Sequence, residues 1–257
     1  MEFTLICRSD AANEAFRLEF ERLSWKGLDE ARAVAAMRLY WLDRCRPSIE
    51  QFRNYYDSHY LPQRLRETLT LVPNRPSSYL DVGYGDGRVT AALVRRWRLD
   101  QHSATGVELV RSQGSSDGDF LRLIMPDSSK WSLPLPTSSV HLVTLFHVLH
   151  HSPTPVETVL AEVRRVLRSD GCLIVREHDA TTHSRRLFLQ FVEVLFDQVV
   201  LGGQRTPVRT CRYRRAEDWV DALNKCGLST QRMVCFLRRR HHLDVDLQCV
   251  PEPARVP

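Results

Sequence analysis

The sequence predicts an α/β protein, a mostly parallel β-sheet with helices on both faces that follows an N-terminal helical segment. From residue 78 onward, short apolar runs typical of buried strands alternate with stretches whose apolar residues recur at helical spacing. The first of these runs, Ser78 to Val82, leads directly into a glycine-rich turn. With 257 residues, of which 43% are hydrophobic, the chain is long enough to bury a core around such a sheet.

The first 75 residues are predicted to form a separate helical segment. Apolar residues recur at helical spacing in three places within residues 10–72, and a glycine and two prolines interrupt them. The sequence PNRP at residues 73–76 then ends the pattern. We therefore place a domain boundary after residue 75.

The second predicted domain covers residues 76–240. Its strands are predicted at residues 78–82, 104–107, 121–125, 140–146, 172–176 and 230–237. Its helices are predicted at residues 88–97, 155–167, 184–200 and 216–226, with Gly171 as a stop signal after the second. Residues 241–257 alternate only weakly and end in a proline-rich stretch, which indicates a tail outside the domain.

Cysteine usage and hydropathy exclude several classes of protein. The seven cysteines are widely spaced and form no CxxC pair, so neither a disulfide framework nor a zinc ribbon is expected. A reducing compartment, the cytoplasm, is the simpler location. No apolar run reaches the roughly 18 residues that a membrane span requires, and the first ten residues lack the layout of a signal peptide.

The positive charge is carried almost entirely by arginine. Of the 36 basic residues only Lys26, Lys130 and Lys225 are lysine, and the formal net charge is +5. Arginine recognises phosphate groups well, but a GC-rich coding sequence gives the same bias. Only residues 205–215 and 238–240 are dense in arginine. Charge alone therefore does not identify the ligand.

The glycine-rich turn is the strongest functional signal. Residues 80–87 read LDVGYGDG, and the glycines lie between a predicted strand and a predicted helix, where exposed backbone N–H groups bind nucleotide-like ligands. Glu108 follows at the end of the next strand, where a carboxylate can accept both hydroxyls of a ribose. The acid before the first glycine suits a positively charged ligand better than a pyrophosphate.

This turn and three later blocks resemble the class I S-adenosylmethionine-dependent methyltransferases. The later blocks are SLPLPTSSVHLV at residues 132–143, LHH at 149–151 and VRRVLRSDG at 163–171. The resemblance covers roughly Tyr56 to Phe236. It implies a Rossmann-like, seven-stranded sheet whose last strand is antiparallel, an N-terminal helical lid over the cofactor, and methyl transfer from S-adenosylmethionine.

The resemblance also implies roles for single residues of the cofactor site. Gly83, Gly85 and Gly87 would hold the methionine part, Asp81 would lie near its charged end, and Glu108 would bind the ribose.

Two further assignments are less direct. Residues 109–120 are rich in serine, glycine and aspartate where the family has a helix, and Asp127 with Ser128 is the candidate for the adenine amino group. In the lid segment, Tyr56 or Tyr60 is expected near the sulfonium, where an aromatic face tolerates positive charge; ordinary helix packing is the alternative.

Candidate catalytic residues lie where the fourth and fifth strands end, because parallel sheets place their ligands at the carboxyl edge. His147 follows the fourth strand and is the candidate general base. Glu177 and His178 follow the fifth and could orient the acceptor, with a salt-bridged strand exit as the alternative. The histidines at positions 147, 150, 151, 178 and 183 match no standard metal signature, so no metal site is predicted.

The acceptor is predicted to be a small molecule, since the resembled branch is rich in such enzymes. RNA is the alternative, as in a cap guanine-N7 methyltransferase, because of the arginines at positions 205, 209, 212, 214 and 215. A K-D-K-E tetrad and an Asn/Asp-Pro-Pro-Tyr block are both missing from the sequence, which disfavours two other classes of nucleic-acid enzyme. A cofactor-binding domain without activity is the third reading.

Overall fold

A computed structural model describes most of the chain from residue 61 onward. The described ranges are 61–72, 74–108, 119–125, 131–183, 211–234 and 244–252, with scattered single residues in 18–58 and 185–193. Contacts divide the chain into two units. The unit that contains the sheet comprises residues 63–178, 214–236 and 244–257, and we call it the sheet unit. The other comprises residues 1–62, 179–213 and 237–243.

Seven strands form one sheet within the described residues. They are β1 (Tyr79–Val82), β2 (Ala104–Glu108), β3 (Leu121–Ile124), β4 (Val140–Phe146), β5 (Leu167–His178), β6 (Leu228–Val234) and β7 (Asp244–Pro251). The main helices are α1 (Leu61–Leu71), α2 (Arg88–Trp97), α3 (Val156–Val166) and α4 (Ala216–Lys225). A short 3₁₀ turn covers Leu149–His151.

The strand order is β3-β2-β1-β4-β5-β7-β6, and the order reverses between β1 and β4. The pairs β1/β2, β2/β3, β1/β4 and β4/β5 are parallel, whereas β7 is antiparallel to both β5 and β6. This confirms the predicted mostly parallel sheet with an antiparallel last strand. A reversal point of this kind leaves a crevice at the carboxyl ends of the strands, where such sheets bind their ligands.

The core has two layers because alternate residues of each strand point to opposite faces of the sheet. Val143 and Leu173 belong to the cluster that contains residues of α3 and α4, among them the buried Trp219. Their neighbours Leu142 and Ile174 belong to a second cluster with α1 and α2. Helices therefore cover both faces, as the alternation of elements predicts.

Strand β5 differs from its prediction. It begins at Leu167, directly after α3, and runs through His178. The predicted role of Gly171 as a helix stop is therefore wrong. It lies inside the strand, where a Cβ would come within about 3.0 Å of the carbonyl oxygens of Arg168 and His141. A glycine is explained at this position because the backbone of the neighbouring strand approaches closely, and not because a helix ends there.

The predicted boundary of the domain at residue 240 also needs correction. Residues 244–251, assigned to a tail, form β7 between β5 and β6. The alternation in that stretch is too weak to indicate a strand by itself, and the strand is evident only from its pairing with two neighbours.

Several predicted elements cannot be compared with the structure. The lid segment at residues 1–75 and the helix at 184–200 lie largely outside the described residues and stay predictions. Among the described helices, none combines the length and the apolar character that a bilayer crossing requires.

Candidate active site

The glycine-rich turn connects β1 to α2 and has the backbone that only glycine adopts easily. Gly83, Gly85 and Gly87 have φ angles of +76°, +60° and +80°. A Cβ on Gly83 would collide with the side chain of Val148. A Cβ on Gly85 would meet no atom within 4 Å. Gly85 thus borders open space, which is what a ligand cradle at this turn needs.

Glu108 lies beside this open space. It ends β2, and its Oε2 accepts a hydrogen bond of 3.0 Å from the backbone N–H of Gly85. The carboxylate is partly buried. The structure therefore places the carboxylate of Glu108 next to the glycine-rich turn, although 23 residues separate Gly85 from Glu108 in the sequence.

Asp81 lies inside the sheet unit and not at its surface. Its side chain is 2% exposed and accepts hydrogen bonds from the hydroxyls of Thr90 on α2 and Thr144 on β4, the latter at 2.7 Å. Burial raises the pKa of Asp81 to about 6, the charge of Glu108 adds to the rise, and the threonine hydrogen bonds oppose it. The carboxylate joins β1, β4 and α2 under the turn. Its predicted proximity to the methionine part stays a prediction.

Three predicted cofactor residues cannot be placed. Asp127, Ser128 and Tyr56 lie outside the described residues, as does Tyr60.

The sequence reasoning missed the aromatic support under the turn. Phe120 meets Tyr84 edge to face, with ring centroids 5.6 Å apart, and the guanidinium of Arg122 lies 4.5 Å from the Phe120 ring centre. These groups fill the space next to Gly87 and Gly106, where a Cβ would clash or crowd. A glycine in mid-strand at position 106 is the signal that could have indicated a bulky neighbour.

The second half of the site begins with Glu177, which is fully buried near the end of β5. Its Oε1 accepts a 2.7 Å hydrogen bond from the backbone N–H of Leu149, and its Oε2 lies 2.7 Å from Nδ1 of His150. Burial favours the neutral acid, but His150, His178 and the Leu149 N–H outweigh it and lower the pKa of Glu177. The carboxylate is held ionised and both of its oxygens are engaged.

Three histidines lie together next to Glu177. The ring centres of His147 and His178 are 4.4 Å apart, those of His150 and His178 are 4.9 Å apart, and those of His147 and His150 are 6.2 Å apart. His150 and His178 are buried, whereas His147 is partly exposed. Trp219 of α4 fixes the end of β5, because its Nε1 donates a 2.9 Å hydrogen bond to the carbonyl of His178.

His147 has an unusual backbone. Its φ angle is +58°, a left-handed conformation that is uncommon outside glycine, although asparagine, aspartate and histidine adopt it more often than other residues. Its N–H donates a 2.8 Å hydrogen bond to the carbonyl of Arg176. Such strain persists where surrounding structure holds it in place and is concentrated at functional sites.

The structure thus brings the predicted residues His147, Glu177 and His178 together at the ends of β4 and β5. It also adds His150, which the sequence reasoning assigned to a family block without a role. Glu177 differs from its prediction in one respect. It contacts His150 and Leu149 from inside the unit and does not lie on an open rim.

The arginine patch is only partly described, because Arg205 and Arg209 lie outside the described residues. Arg214 lies 3.5 Å from Glu157 and stacks over the ring of Trp219 at 5.3 Å. Arg215 pairs with Glu217 at 2.5 Å. Acids therefore offset the charge of these two arginines.

Comparison with known proteins places the chain in a family. A family model described as a methyltransferase domain matches residues 52–232, which is most of the chain. The chain belongs to the methyltransferase-domain family. It is a class I enzyme whose methyl donor is S-adenosylmethionine. No curated protein is similar enough in sequence to match it.

Solved methyltransferase structures share the fold at low sequence identity. The Burkholderia thailandensis 1,6-didemethyltoxoflavin-N1-methyltransferase, solved with S-adenosylhomocysteine and 1,6-didemethyltoxoflavin, has a TM-score of 0.55 and 16% identity, over 88% of this chain and 92% of that one. A Thermotoga maritima S-adenosylmethionine-dependent methyltransferase has a TM-score of 0.53 and 16% identity, over 79% and 96% of the chains.

A third structure is a methyltransferase in complex with the Haloferax volcanii Trm112 methyltransferase activator. It has a TM-score of 0.54 and 14% identity, over 78% of this chain and 93% of that one. At these identities the likeness concerns the fold.

Proposed function

We propose that this methyltransferase acts on a small-molecule acceptor bound beside His147, at the carboxyl edge of β4 and β5. The observation that carries the proposal is the position of three residues at the point where the strand order reverses. Gly85 and Glu108 border open space after β1 and β2, and the partly exposed His147 follows β4. A donor site and an acceptor site on neighbouring strand ends are what an in-line transfer needs.

S-adenosylmethionine supplies an activated methyl group on a sulfonium, so the protein has chiefly to bind and orient. In our proposal the glycine turn provides the space for the methionine part, and Glu108 accepts the ribose hydroxyls. The turn has room for this ligand, because a Cβ added at Gly85 would meet no atom within 4 Å. Asp81 keeps the turn rigid through Thr90 and Thr144.

His147 faces the acceptor in this proposal. A histidine there can take a proton from a hydroxyl acceptor, which a nitrogen or phenolate acceptor does not require. Glu177 acts as a positioning residue, because its carboxylate holds His150 and the Leu149 N–H. His178 packs against His147 and fixes its ring.

The charge distribution favours a small molecule over RNA. Phosphate contacts supply most of the affinity for nucleic acid, and an arginine that is already paired with an acid is a weaker candidate for such a contact. Arg214 and Arg215 both have acidic partners. Arg212 is exposed and stays a candidate phosphate contact, together with the two undescribed arginines of the patch.

A methyl-transfer assay with radiolabelled S-adenosylmethionine tests the proposal. The acceptors are a fractionated small-molecule extract, capped RNA and uncapped RNA, and the Gly85→Val variant is the control for label that does not depend on the cofactor site. We expect label in a small-molecule fraction and none in either RNA. Label in RNA, at a rate that falls when Arg212 is changed to Gln, contradicts the small-molecule acceptor.

A further inference from the structure

Three imidazoles meet at one point of the sheet unit. The candidate ligand atoms of His147, His150 and His178 all lie within 4.8 Å of one another. They come from the end of β4, the 3₁₀ turn and the end of β5. No spacing rule predicts this group, because 28 residues separate His178 from His150.

We propose that His147, His150 and His178 bind a divalent transition-metal ion, with Zn²⁺ as the preferred ion. Imidazole suits zinc and its neighbours in the first transition row. Three protein nitrogens with one open position are the donor set of catalytic zinc sites. This proposal replaces the sequence-based expectation of no metal.

The distances are close to those that zinc needs. Zinc–nitrogen bonds of about 2.0–2.1 Å in a tetrahedron place the nitrogens about 3.3–3.4 Å apart. Because the candidate ligand atoms lie within 4.8 Å of one another, they have to approach by at most roughly 1.5 Å.

Glu177 supplies the second layer of the site. Histidine ligands of metals almost always hydrogen-bond a carboxylate or carbonyl through their other nitrogen, which orients the ring. Oε2 of Glu177 lies 2.7 Å from Nδ1 of His150, so His150 would bind the metal through Nε2. The Leu149 N–H holds the other carboxylate oxygen at 2.7 Å. The buried negative charge also offsets the charge of an ion.

His147 defines the open side of the site. It is the one member of the three with partial exposure, and its left-handed φ of +58° is the strained feature at this edge. The hydrogen bond from its N–H to the Arg176 carbonyl holds the turn in place. The fourth coordination position then faces the edge where the acceptor is proposed to bind. In the metal-bound protein, His147 would contact the acceptor through the ion and would not act as a base.

Metal binding can be measured without methyl donor or acceptor, so the result is independent of the proposed function. Protein without a histidine tag is stripped with a chelator and titrated with ZnCl₂ by calorimetry. Stripped protein is titrated with CoCl₂ in parallel, and its visible absorption is recorded. The ligand variants are His147→Asn and His178→Asn, Glu177→Gln tests the positioning carboxylate, and the exposed His102→Asn is the matched control.

We expect one zinc ion per chain in the parent and in His102→Asn, and no saturable binding in the two ligand variants. Glu177→Gln should weaken binding by about 10- to 100-fold, the usual effect of losing such a partner. Cobalt should give the intense visible bands of a four-coordinate ion.

Two results overturn the proposal. One is the absence of saturable binding to the folded parent. The other is binding of equal affinity in His147→Asn and His178→Asn. If circular dichroism shows that a ligand variant does not fold, the parent's cobalt spectrum decides. Intense four-coordinate bands support the site, and the weak bands of six-coordinate cobalt contradict it.

Discussion

At the scale of single residues, a buried acid lies under the cofactor turn. Asp81 is 2% exposed, and its pKa is raised to about 6, mainly by burial. Tyr79 lies close by, and its pKa is raised by burial and by the charge of Asp81. The two threonine hydrogen bonds do not fully replace water, so the ionised form of Asp81 costs stability.

We predict that Asp81 makes the fold more stable at mildly acidic pH. The folded pKa of about 6 lies above the usual aspartate pKa of 3.8, so the folded state binds more protons between those pH values. The cost is present above pH 6 and is relieved as the pH falls toward 3.8. Relative to Asp81→Asn, the parent should gain about 1 kcal/mol in unfolding free energy between pH 7.5 and pH 5. Urea unfolding at both pH values measures this. Parallel pH profiles of parent and variant contradict it.

We predict that Glu108→Ala weakens binding of S-adenosylmethionine by about 5- to 150-fold. The variant loses two hydrogen bonds to the ribose, each with a net value of about 0.5–1.5 kcal/mol. Gly85→Val should weaken binding as well, since it fills the open space and strains a φ of +60°. Calorimetry measures both, with Glu157→Ala as the control on α3. Unchanged affinity in both variants contradicts the site.

We predict that His147→Ala lowers turnover by about 10²- to 10⁴-fold and leaves the affinity for S-adenosylmethionine nearly unchanged. The side chain lies beside the acceptor and not beside the glycine turn in our proposal. His178→Ala should have the smaller effect on turnover. Single-turnover rates within about threefold of the parent for both variants would mean that binding geometry alone carries the reaction.

At the scale of elements, a buried ion network joins β5, β7 and α1. Arg176 pairs with Asp246 through two hydrogen bonds and lies 3.1 Å from Glu67. Arg176 is 2% exposed and Asp246 is fully buried. A second pair on the same strand, Arg168 with Asp170, is exposed. The two pairs therefore have the same chemistry and different burial.

We predict that Arg176→Met lowers the free energy of unfolding by about 3–5 kcal/mol, because it leaves Asp246 as a buried charge without its main partner. The control Arg168→Met should change the free energy of unfolding far less, since exposed pairs contribute little. A double variant, Arg176→Met with Asp246→Leu, should recover much of the loss. Urea unfolding measures all three, and equal effects of the two single substitutions contradict the argument.

At the scale of the whole molecule, β7 holds the far side of the sheet together, because it lies between β5 and β6. Its register places Asp246 opposite Arg176 and Cys249 opposite Leu173. Without it, β5 would lose a partner along its buried half and β6 would lose its place in the sheet.

We predict that truncation after residue 243 gives a protein that does not fold, because it removes β7 and exposes β5. Truncation after Glu252 keeps every described strand and is the matched control. Circular dichroism and thermal melting distinguish them. A cooperative transition in the shorter protein contradicts a structural role for β7.

The predictions from sequence succeeded for features that residues close together in the sequence determine. The alternation of strands and helices gave the fold class, and the spacing from the glycine turn to Glu108 gave one half of the candidate site. Strand β7 was missed because its alternation is weak and its pairing with β5 spans about 70 residues, as the separation of Arg176 and Asp246 shows.

The sequence by itself determined the architecture and the cofactor turn, because periodicity and turn chemistry are recorded in neighbouring residues. Only the tertiary structure decided that Glu177 holds His150, that three histidines meet, and that Asp81 is buried between two threonines. These contacts depend on which strands lie side by side and in what register. A one-residue shift in register would send the strand residues among them, Asp81, Glu177 and His178, to the other face of the sheet.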